Sequence, residues 1–284
     1  MHLDLICQAL SGKEQRLSPI ILHIKNISKE YKSSNSNSIT QTIFDGMDLK
    51  IREGEFVTII GKSGCGKSTL LNIVAGLDKS FSGEVIVEGK PVKSTSQDRI
   101  VIFQENALFP WLNVVQNIEF SLRQVKIQKE RRRDLAMNYL NMVGLSDFAD
   151  ANVHELSGGM KQRVAIARAL SLDPKFLLMD EPFAALDIHT RQSLCSELLR
   201  IHHETKKTIL FVTHNIDEAV LLGDRVILLS HSAGKIRREF IVNIPRPRDL
   251  HHVAIRNIVS EVMDELRESS YRNKDLSYAT TISI

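Results

Sequence analysis

The chain has 284 residues, of which 43% are hydrophobic and 25% are charged, and its formal net charge is +3. This composition is typical of a globular protein, and the charge is too small to indicate a nucleic-acid partner by itself. No apolar run approaches the ~20 residues that cross a bilayer, the N-terminal apolar stretch is too short for a signal peptide, and the scattered Cys7, Cys65 and Cys195 exclude a disulfide framework. We therefore expect a cytosolic chain built on one large α/β domain.

The first elements are short strands. Residues 1–19 have no clear hydrophobic period and predict a loose leader outside the fold. Residues 20–24 predict the first strand, Tyr31 follows it, and the serine-rich residues 33–38 predict a polar loop. Residues 84–88 alternate as a further strand. Several short strands at this end of the chain indicate an antiparallel sheet beside a parallel core.

A glycine-rich motif lies between a buried strand, residues 56–60, and a helix that ends at Gly76. It matches the phosphate-loop pattern G-x-x-x-x-G-K-[ST]. Glycines let successive N–H groups point inward, and the helix N-terminus adds positive charge, so the context favours nucleotide binding over a chance turn. Lys67 would place its charge on the outer phosphates, and Ser68 would offer its hydroxyl to Mg²⁺. The predicted binding residues of this loop are Gly61, Lys62, Ser63, Gly64, Cys65, Gly66, Lys67, Ser68 and Thr69.

Cys65 within this loop has two interpretations. It is either a small residue that fits the loop or a thiol whose alkylation would block nucleotide binding. The second interpretation depends on the helix N-terminus, which would favour the thiolate.

The hydrophobic pattern changes in the middle of the chain. An apolar strand over residues 100–103 ends at Gln104, and residues 113–145 then have a helical hydrophobic period. The charge run at residues 129–134 predicts a solvated helix start. This part predicts a helical lobe inserted in the α/β core.

The second half alternates helices with apolar strands at residues 176–181, 208–213 and 225–229. Such alternation implies right-handed crossovers and a parallel sheet. Ligands of these sheets lie at the carboxyl ends of the strands. Four polar residues fall there together with the phosphate loop, and we expect them to converge: Gln104, Asp180, Glu181 and His214.

Each of these residues has a candidate role. Asp180 fits the acid that holds Mg²⁺ through water opposite Ser68, and Glu181 fits the residue that orients or deprotonates an attacking water. Gln104 is a candidate contact of Mg²⁺ and this water, and His214 of the γ-phosphate. Two acids at a strand end also fit a solvated turn, and a single histidine is more often structural. The apolar strand before the acids favours the functional interpretation.

The C-terminal part predicts an amphipathic helix over residues 255–266 that packs on the body of the chain or on a second copy. From Ser269 onward the sequence is polar, and we expect a frayed end.

The motifs, taken in order, resemble those of ABC-transporter ATPase subunits. They are residues 61–69, Gln104, the LSGGMKQ stretch at residues 156–162, residues 180–182, residues 185–187 and His214. The resemblance covers residues 20–249 and implies a P-loop NTPase core of α/β class with a mixed, mainly parallel sheet, an antiparallel β subdomain and an α-helical subdomain at about residues 105–165. A C-terminal helix and polar tail at residues 250–284 would follow.

The resemblance implies ATP with Mg²⁺ as ligands and a head-to-tail homodimer. Ser157, Gly158 and Gly159 of one copy would close on the γ-phosphate held by the other, and Asp187 would lie across the same interface. A second glycine-rich helix start would bring N–H groups from the far side. Tyr31 matches the aromatic residue that stacks on adenine in this family, although a tyrosine at a strand end is also ordinary. Ala184 departs from a position where serine is frequent.

Two stretches resemble the nitrate/sulfonate/taurine importer ATPases, namely residues 103–111 and 245–249. The resemblance implies a subunit at the cytoplasmic face of the membrane that works with a separate permease and, through it, an extracytoplasmic solute-binding protein. Trp111 would dock a permease helix or pack in the lobe. An aliphatic sulfonate or taurine is the favoured solute, and nitrate is next.

Alternatives to this assignment remain. The chain could serve an importer of pyrimidine or thiamine precursors, an exporter, or an ABC ATPase that acts on DNA or ribosomes. DNA-repair members carry a long coiled coil where this chain has a short lobe, and ribosome-acting members usually carry two such domains. We therefore predict no nucleic-acid partner.

Overall fold

The computed structural model describes residues 18–32, 40–230 and 234–279. Most of the predicted leader, the predicted polar loop at residues 33–38 and Cys7 lie outside the described residues. The strands are β1 Ile20–Lys32, β2 Thr40–Arg52, β3 Phe56–Ile60, β4 Ser82–Val87, β5 Lys90–Pro91, β6 Arg99–Ile102, β7 Phe176–Asp180, β8 Thr208–Val212, β9 Arg225–Leu229 and β10 Ile236–Ile241. The α-helices are α1 Lys67–Ala75, α2 Val114–Gln124, α3 Lys129–Met142, α4 Gly158–Leu170, α5 Ile188–Thr205, α6 Ile216–Leu222 and α7 Val253–Ala279.

Within the described ranges the strands form two sheets. The antiparallel sheet has the order β2-β1-β4-β5, and the core sheet has the order β10-β9-β3-β8-β7-β6. Neighbouring strands of the core sheet are parallel, except that β10 runs antiparallel to β9. The predicted antiparallel sheet beside a parallel core is therefore confirmed.

The central strands of the core sheet are apolar because helices or the antiparallel sheet cover both faces. Every residue of β3 and β8 is buried. Such strands have continuous apolar runs rather than alternation. One face packs on α4, α5 and the helical lobe, and the other packs on α1 and the antiparallel sheet. This packing fixes the loops at the carboxyl ends of the strands.

The lobe between β6 and α4 contains α2 and α3. Asn113 caps α2 in a capping box with Gln116. Asn117 is fully buried, and its side chain holds the preceding loop through the N–H and carbonyl groups of Phe109. The lobe is thereby anchored close to the end of β6.

The C-terminal helix packs on the body of the chain. Ile255 and Val262 are fully buried against a cluster that includes Phe240 of β10. The sequence predicted a frayed end from Ser269, but α7 continues to Ala279. That stretch contains no proline or glycine to end a helix.

The sequence pattern also did not predict strand β10. Its residues alternate poorly because Arg237, Arg238 and Glu239 are charged. β10 is an edge strand, where charged side chains are favoured. Among the described helices, none combines the length and the apolar character needed to cross a membrane.

Candidate functional site

The phosphate-loop motif forms a tight turn between β3 and α1. Gly64 and Gly66 have φ angles of +81° and +98°, a region that favours glycine. A Cβ atom on Gly66 would also lie 2.8 Å from side-chain atoms of Ile43 and Phe44. The antiparallel sheet therefore packs closely against the loop, and no residue larger than glycine fits at position 66, just before α1.

Lys67 is held inside this loop. Its side chain is 6% exposed, and Nζ donates to the carbonyl oxygens of Gly61 at 3.0 Å and Lys62 at 3.2 Å. Nζ also lies 3.7 Å from Oε1 of Glu181. A buried ammonium group at a helix N-terminus is a strong attractor of phosphate.

Ser68 and Asp180 form a pair of oxygen donors beside this lysine. The Ser68 hydroxyl donates to Oδ1 of Asp180 at 3.0 Å. Burial raises the pKa of Asp180, although the Ser68 hydrogen bond and the charge of Lys67 oppose that rise. A partly buried carboxylate next to a hydroxyl suits a hard divalent cation, whose charge would compensate the burial. These residues therefore fit Mg²⁺.

Glu181 and His214 form the second polar pair at this edge. Nδ1 of His214 lies 2.8 Å from Oε2 of Glu181. A carboxylate oxygen accepts hydrogen bonds, so the tautomer of His214 with a proton on Nδ1 would donate to Glu181 in this contact. Glu181 has a φ angle of +46°, and its N–H donates to Val212 on the neighbouring strand. Such a conformation is rare for glutamate and concentrates at functional sites.

Gln104 is near this edge but apart from the other residues. It is exposed just after β6. Among the described residues its side chain forms no hydrogen bond with Asp180 or Glu181. The predicted contact of Gln104 with Mg²⁺ stays a prediction.

The glycine-rich start of α4 and the start of α5 form a separate surface. Ser157 caps α4 by accepting from Met160 N–H at 3.3 Å, and Asp187 caps α5 by accepting from Thr190 N–H at 3.0 Å. A Cβ atom on Gly158 would lie 3.2 Å from Leu186, and one on Gly159 would lie 2.5 Å from Thr190. The two helix starts are therefore in contact.

This surface does not reach the phosphate loop of its own chain. Ser157, Gly158 and Asp187 are exposed, and within the described residues no hydrogen bond or ion pair joins them to residues 61–69. Tyr31 also lies apart from the loop. Its ring is 47% exposed at the end of β1, with Nζ of Lys29 at 4.6 Å from the ring centroid.

Comparison with known proteins assigns the family. A family model described as ABC transporter matches residues 44–184. An uncharacterised ABC transporter ATP-binding protein of Methanocaldococcus jannaschii is 43% identical over 90% of this chain and 95% of its own length. This chain belongs to the ABC transporter ATP-binding proteins.

Further relatives agree with this assignment. The bicarbonate transport ATP-binding protein CmpD of Synechococcus elongatus is 41% identical over 82% of this chain and 84% of its own length. A dimeric ATP-binding cassette in a post-hydrolysis state, bound to ADP and Pi, has a TM-score of 0.69 at 35% identity and covers 79% of this chain and 100% of its own. The structure of cbiO1 from Clostridium perfringens, part of the complex cbiONQ, has a TM-score of 0.71 at 27% identity and covers 93% and 99%. The chain is an ATPase that uses ATP and Mg²⁺, and its hydrolysis is coupled to transport.

The structure of this ABC ATPase decides the role of Cys65. The side chain is 2% exposed, and burial raises the pKa of its thiol even though Lys67 opposes the rise. Burial of the side chain therefore favours the interpretation of Cys65 as a small residue that fits the loop. Sγ fills the space beside Gly61, where a Cβ atom would lie 2.6 Å from it.

The exposure of Trp111 bears on its two predicted roles, docking of a permease helix or packing in the lobe. The side chain is 75% exposed, so packing in the core of the lobe is excluded. Its ring centroid lies 5.4 Å from that of Phe109, and Phe120 contacts Phe109 from the other side at 4.6 Å. The three rings form an aromatic patch on the surface of the lobe.

Sequence reasoning missed three residues behind the ABC ATPase site: Arg191, Thr213 and Glu218. Glu218 is buried and accepts from the hydroxyl of Thr213. A local signal exists, since Asn215 and Glu218 have the spacing of a helix cap and the third helical residue. The contact with Arg191 has no local signal because that residue belongs to another helix.

A cavity of about 640 Å³ lies away from the ATPase site, between α5 and residues 246–251.

Proposed function

We propose that this ABC ATPase energises the import of a small anion through a separate membrane permease. The energising role rests on the convergence of Lys67, Glu181 and His214 at one edge of the core sheet, with Glu181 between the other two at 3.7 Å and 2.8 Å. The bicarbonate transport relative supports an anion importer.

The residues at this edge have separate roles in ATP binding and hydrolysis. The loop of residues 61–69 and Lys67 hold the phosphates, and Glu181 accepts the proton of the attacking water. His214 holds Glu181 and contacts the γ-phosphate. Mg²⁺, when bound, supplies charge that offsets the phosphates, and Ser68, Asp180 and Gln104 would hold it.

A second copy of the chain completes the site in this proposal. Ser157, Gly158 and Gly159 would cover the γ-phosphate of the other copy, with Asp187 at the interface. Support comes from the exposure of Ser157, Gly158 and Asp187 and of Ile188, which is 67% exposed, whereas Gly159 is buried. The dimeric cassette among the solved relatives has the same fold. Tyr31, exposed at the end of β1, would stack on adenine.

The permease would dock on the surface beside β6. A groove of about 440 Å³ is lined by Leu77 and Phe103, whose side chains are 50% and 45% exposed. The aromatic patch of Phe109, Trp111 and Phe120 belongs to the loop and helix that follow β6. Exposed apolar and aromatic side chains of this kind favour a partner helix. A solute-binding protein on the other side of the membrane would deliver the solute.

Growth and uptake measurements in a strain that lacks this gene test the identity of the solute. An aliphatic sulfonate or taurine is the first candidate and nitrate is the second, and the relatives add bicarbonate. We expect loss of growth on one of these nutrients as sole source, beside normal growth on sulfate and ammonium. The wild-type gene should restore uptake of the labelled anion, and a Glu181→Gln gene should not.

The controls separate the outcomes. An exposed-site variant, Glu84→Gln, should restore uptake fully, since Glu84 is 60% exposed in the antiparallel sheet. Normal uptake of every labelled anion in the deletion strain would contradict anion import. Reduced uptake of a pyrimidine or thiamine precursor instead would favour the other importer classes.

A further inference from the structure

A buried carboxylate lies directly behind the hydrolytic pair. The Glu218 side chain is 7% exposed near the start of α6. Its Oε2 accepts from the Thr213 hydroxyl at 2.6 Å, and its Oε1 lies 3.3 Å from Nε of Arg191. Burial raises the pKa of Glu218, whereas Thr213 and Arg191 oppose the rise. The Thr213 hydrogen bond therefore fixes one carboxylate oxygen, and Arg191 adds an ion pair, since its Nε has no hydrogen-bond partner among the described residues.

One end of this cluster fixes His214. The Thr213 hydroxyl oxygen accepts from Asn215 N–H at 3.0 Å, and Asn215 Oδ1 accepts from Glu218 N–H at 3.1 Å. The residues on both sides of His214 are thus tied to Glu218. His214 itself projects outward and meets Glu181 at 2.8 Å.

The other end fixes the loop that carries Asp187. Nη2 of Arg191 donates to the carbonyl oxygen of Leu186 at 2.9 Å. Asp187 follows Leu186 and caps α5, the helix on which Arg191 lies. One guanidinium group therefore contacts both this loop and Glu218.

We propose that Thr213, Glu218 and Arg191 form a positioning bridge that holds His214 against Glu181 and ties this pair to the loop of Leu186 and Asp187. The inference rests on the proposed function, in which Asp187 faces a second copy. A movement of Asp187 on dimer closure is then transmitted through Arg191 and Glu218 to His214. The three residues touch no nucleotide and act through His214.

The first test removes one hydroxyl group. Thr213→Val keeps the shape of the side chain but cannot donate to Glu218, and we expect kcat for ATP to fall about tenfold with KM unchanged. Thr213→Ser keeps the hydroxyl and should restore kcat. The matched control is Thr58→Val. Thr58 is also buried, and its hydroxyl donates to Ala219 of the same α6 at 3.1 Å without a contact to Glu218.

The second test asks whether the bridge acts through His214. On a His214→Ala background, Thr213→Val and Arg191→Met should lower kcat no further, whereas independent structural effects would add. Arg191→Lys should retain more activity than Arg191→Met. The bridge is overturned if either Thr213→Val or Arg191→Met matches Thr58→Val in kcat, or if their losses add to that of His214→Ala.

These outcomes are distinct from a failure of the proposed site. If His214→Ala and Glu181→Gln hydrolyse ATP at the wild-type rate, the assignment of the hydrolytic pair fails. If both lower turnover while Thr213→Val does not, the bridge alone fails.

Discussion

The two ends of the core sheet both carry clusters of charged side chains, but the clusters are built differently. At the amino end, Arg225 donates to Glu55 at 2.9 Å and to Glu239 at 2.6 Å. Asp224 accepts from Phe56 N–H at 2.9 Å and pairs with Arg246 at 2.8 Å. These groups pair with one another within the chain, although Nε of Arg246 is buried without a hydrogen-bond partner among the described residues.

At the carboxyl end the contacts between such groups are longer or more exposed. Lys67 and Glu181 are 3.7 Å apart, and the His214 side chain is 60% exposed. Burial raises the pKa of Asp180, and the Ser68 hydrogen bond and the charge of Lys67 oppose the rise. Charges that satisfy one another stabilise the fold, whereas charges held ready for a ligand cost stability and provide activity. The comparison predicts that substitutions at the two ends have opposite consequences.

The largest effect is expected from Glu181→Gln at the carboxyl end. Turnover should fall roughly 10³-fold because the amide cannot accept the proton of water. ATP binding and thermal stability should stay close to wild type, and ATP should trap a dimer. Phosphate release and size-exclusion chromatography measure these effects, with Glu84→Gln as the matched control. Turnover at the wild-type rate would show that Glu181 is not the base.

The next effect tests whether the carboxyl end is completed by a second copy. Ser157→Arg places a large charged group on the exposed start of α4, and turnover should fall roughly 10²-fold as the second set of donors is lost. In combination with Glu181→Gln it should abolish the ATP-trapped dimer while ATP affinity is retained. Ser196→Arg, at an exposed serine on α5, is the control. A trapped dimer in the double variant would contradict the head-to-tail arrangement.

At the amino end, Arg225→Met should lower the free energy of unfolding by about 2 kcal/mol, because Glu55, whose side chain is 11% exposed, loses its positively charged partner. Turnover per folded molecule should not change. Arg133→Met is the matched control, since its pair with Asp150 is exposed and should contribute little to stability. Denaturant unfolding measures both. A loss of turnover without a loss of stability would break the distinction between the two ends.

The smallest effect concerns His202, also at the amino end. Burial and the nearby charge of Arg246 lower the pKa of His202, and its Nε2 contacts the Gly54 carbonyl oxygen at 3.0 Å. Because the unfolded chain binds a proton that the folded chain resists, stability should fall as the pH drops below about 6.5, by at most about 1.4 kcal/mol per pH unit.

His202→Gln keeps a donor for Gly54 and does not titrate, so its stability should depend less on pH between 7.5 and 5.5. The exposed neighbour offers the control, and His203→Gln should follow the wild-type curve. Identical pH profiles of all three proteins would refute a neutral, buried His202.

Local patterns in the sequence determined much of the molecule. The glycines and Lys67 specify the phosphate loop, because a positive φ and a helix start depend on a few adjacent residues. The apolar period specifies the core strands, and the rule that parallel strands share an edge brings Asp180, Glu181 and His214 together. The family and fold class were therefore predictable from the sequence.

Only the tertiary structure decided which side chains are buried and which meet across the chain. The low exposure of Cys65, the high exposure of Trp111 and the position of β10 at an edge depend on packing between distant segments. The bridge from Leu186 through Arg191 and Glu218 to Thr213 joins two helices and two loops. Burial sets the pKa of a thiol or carboxylate, and it arises from long-range contacts that no local period encodes.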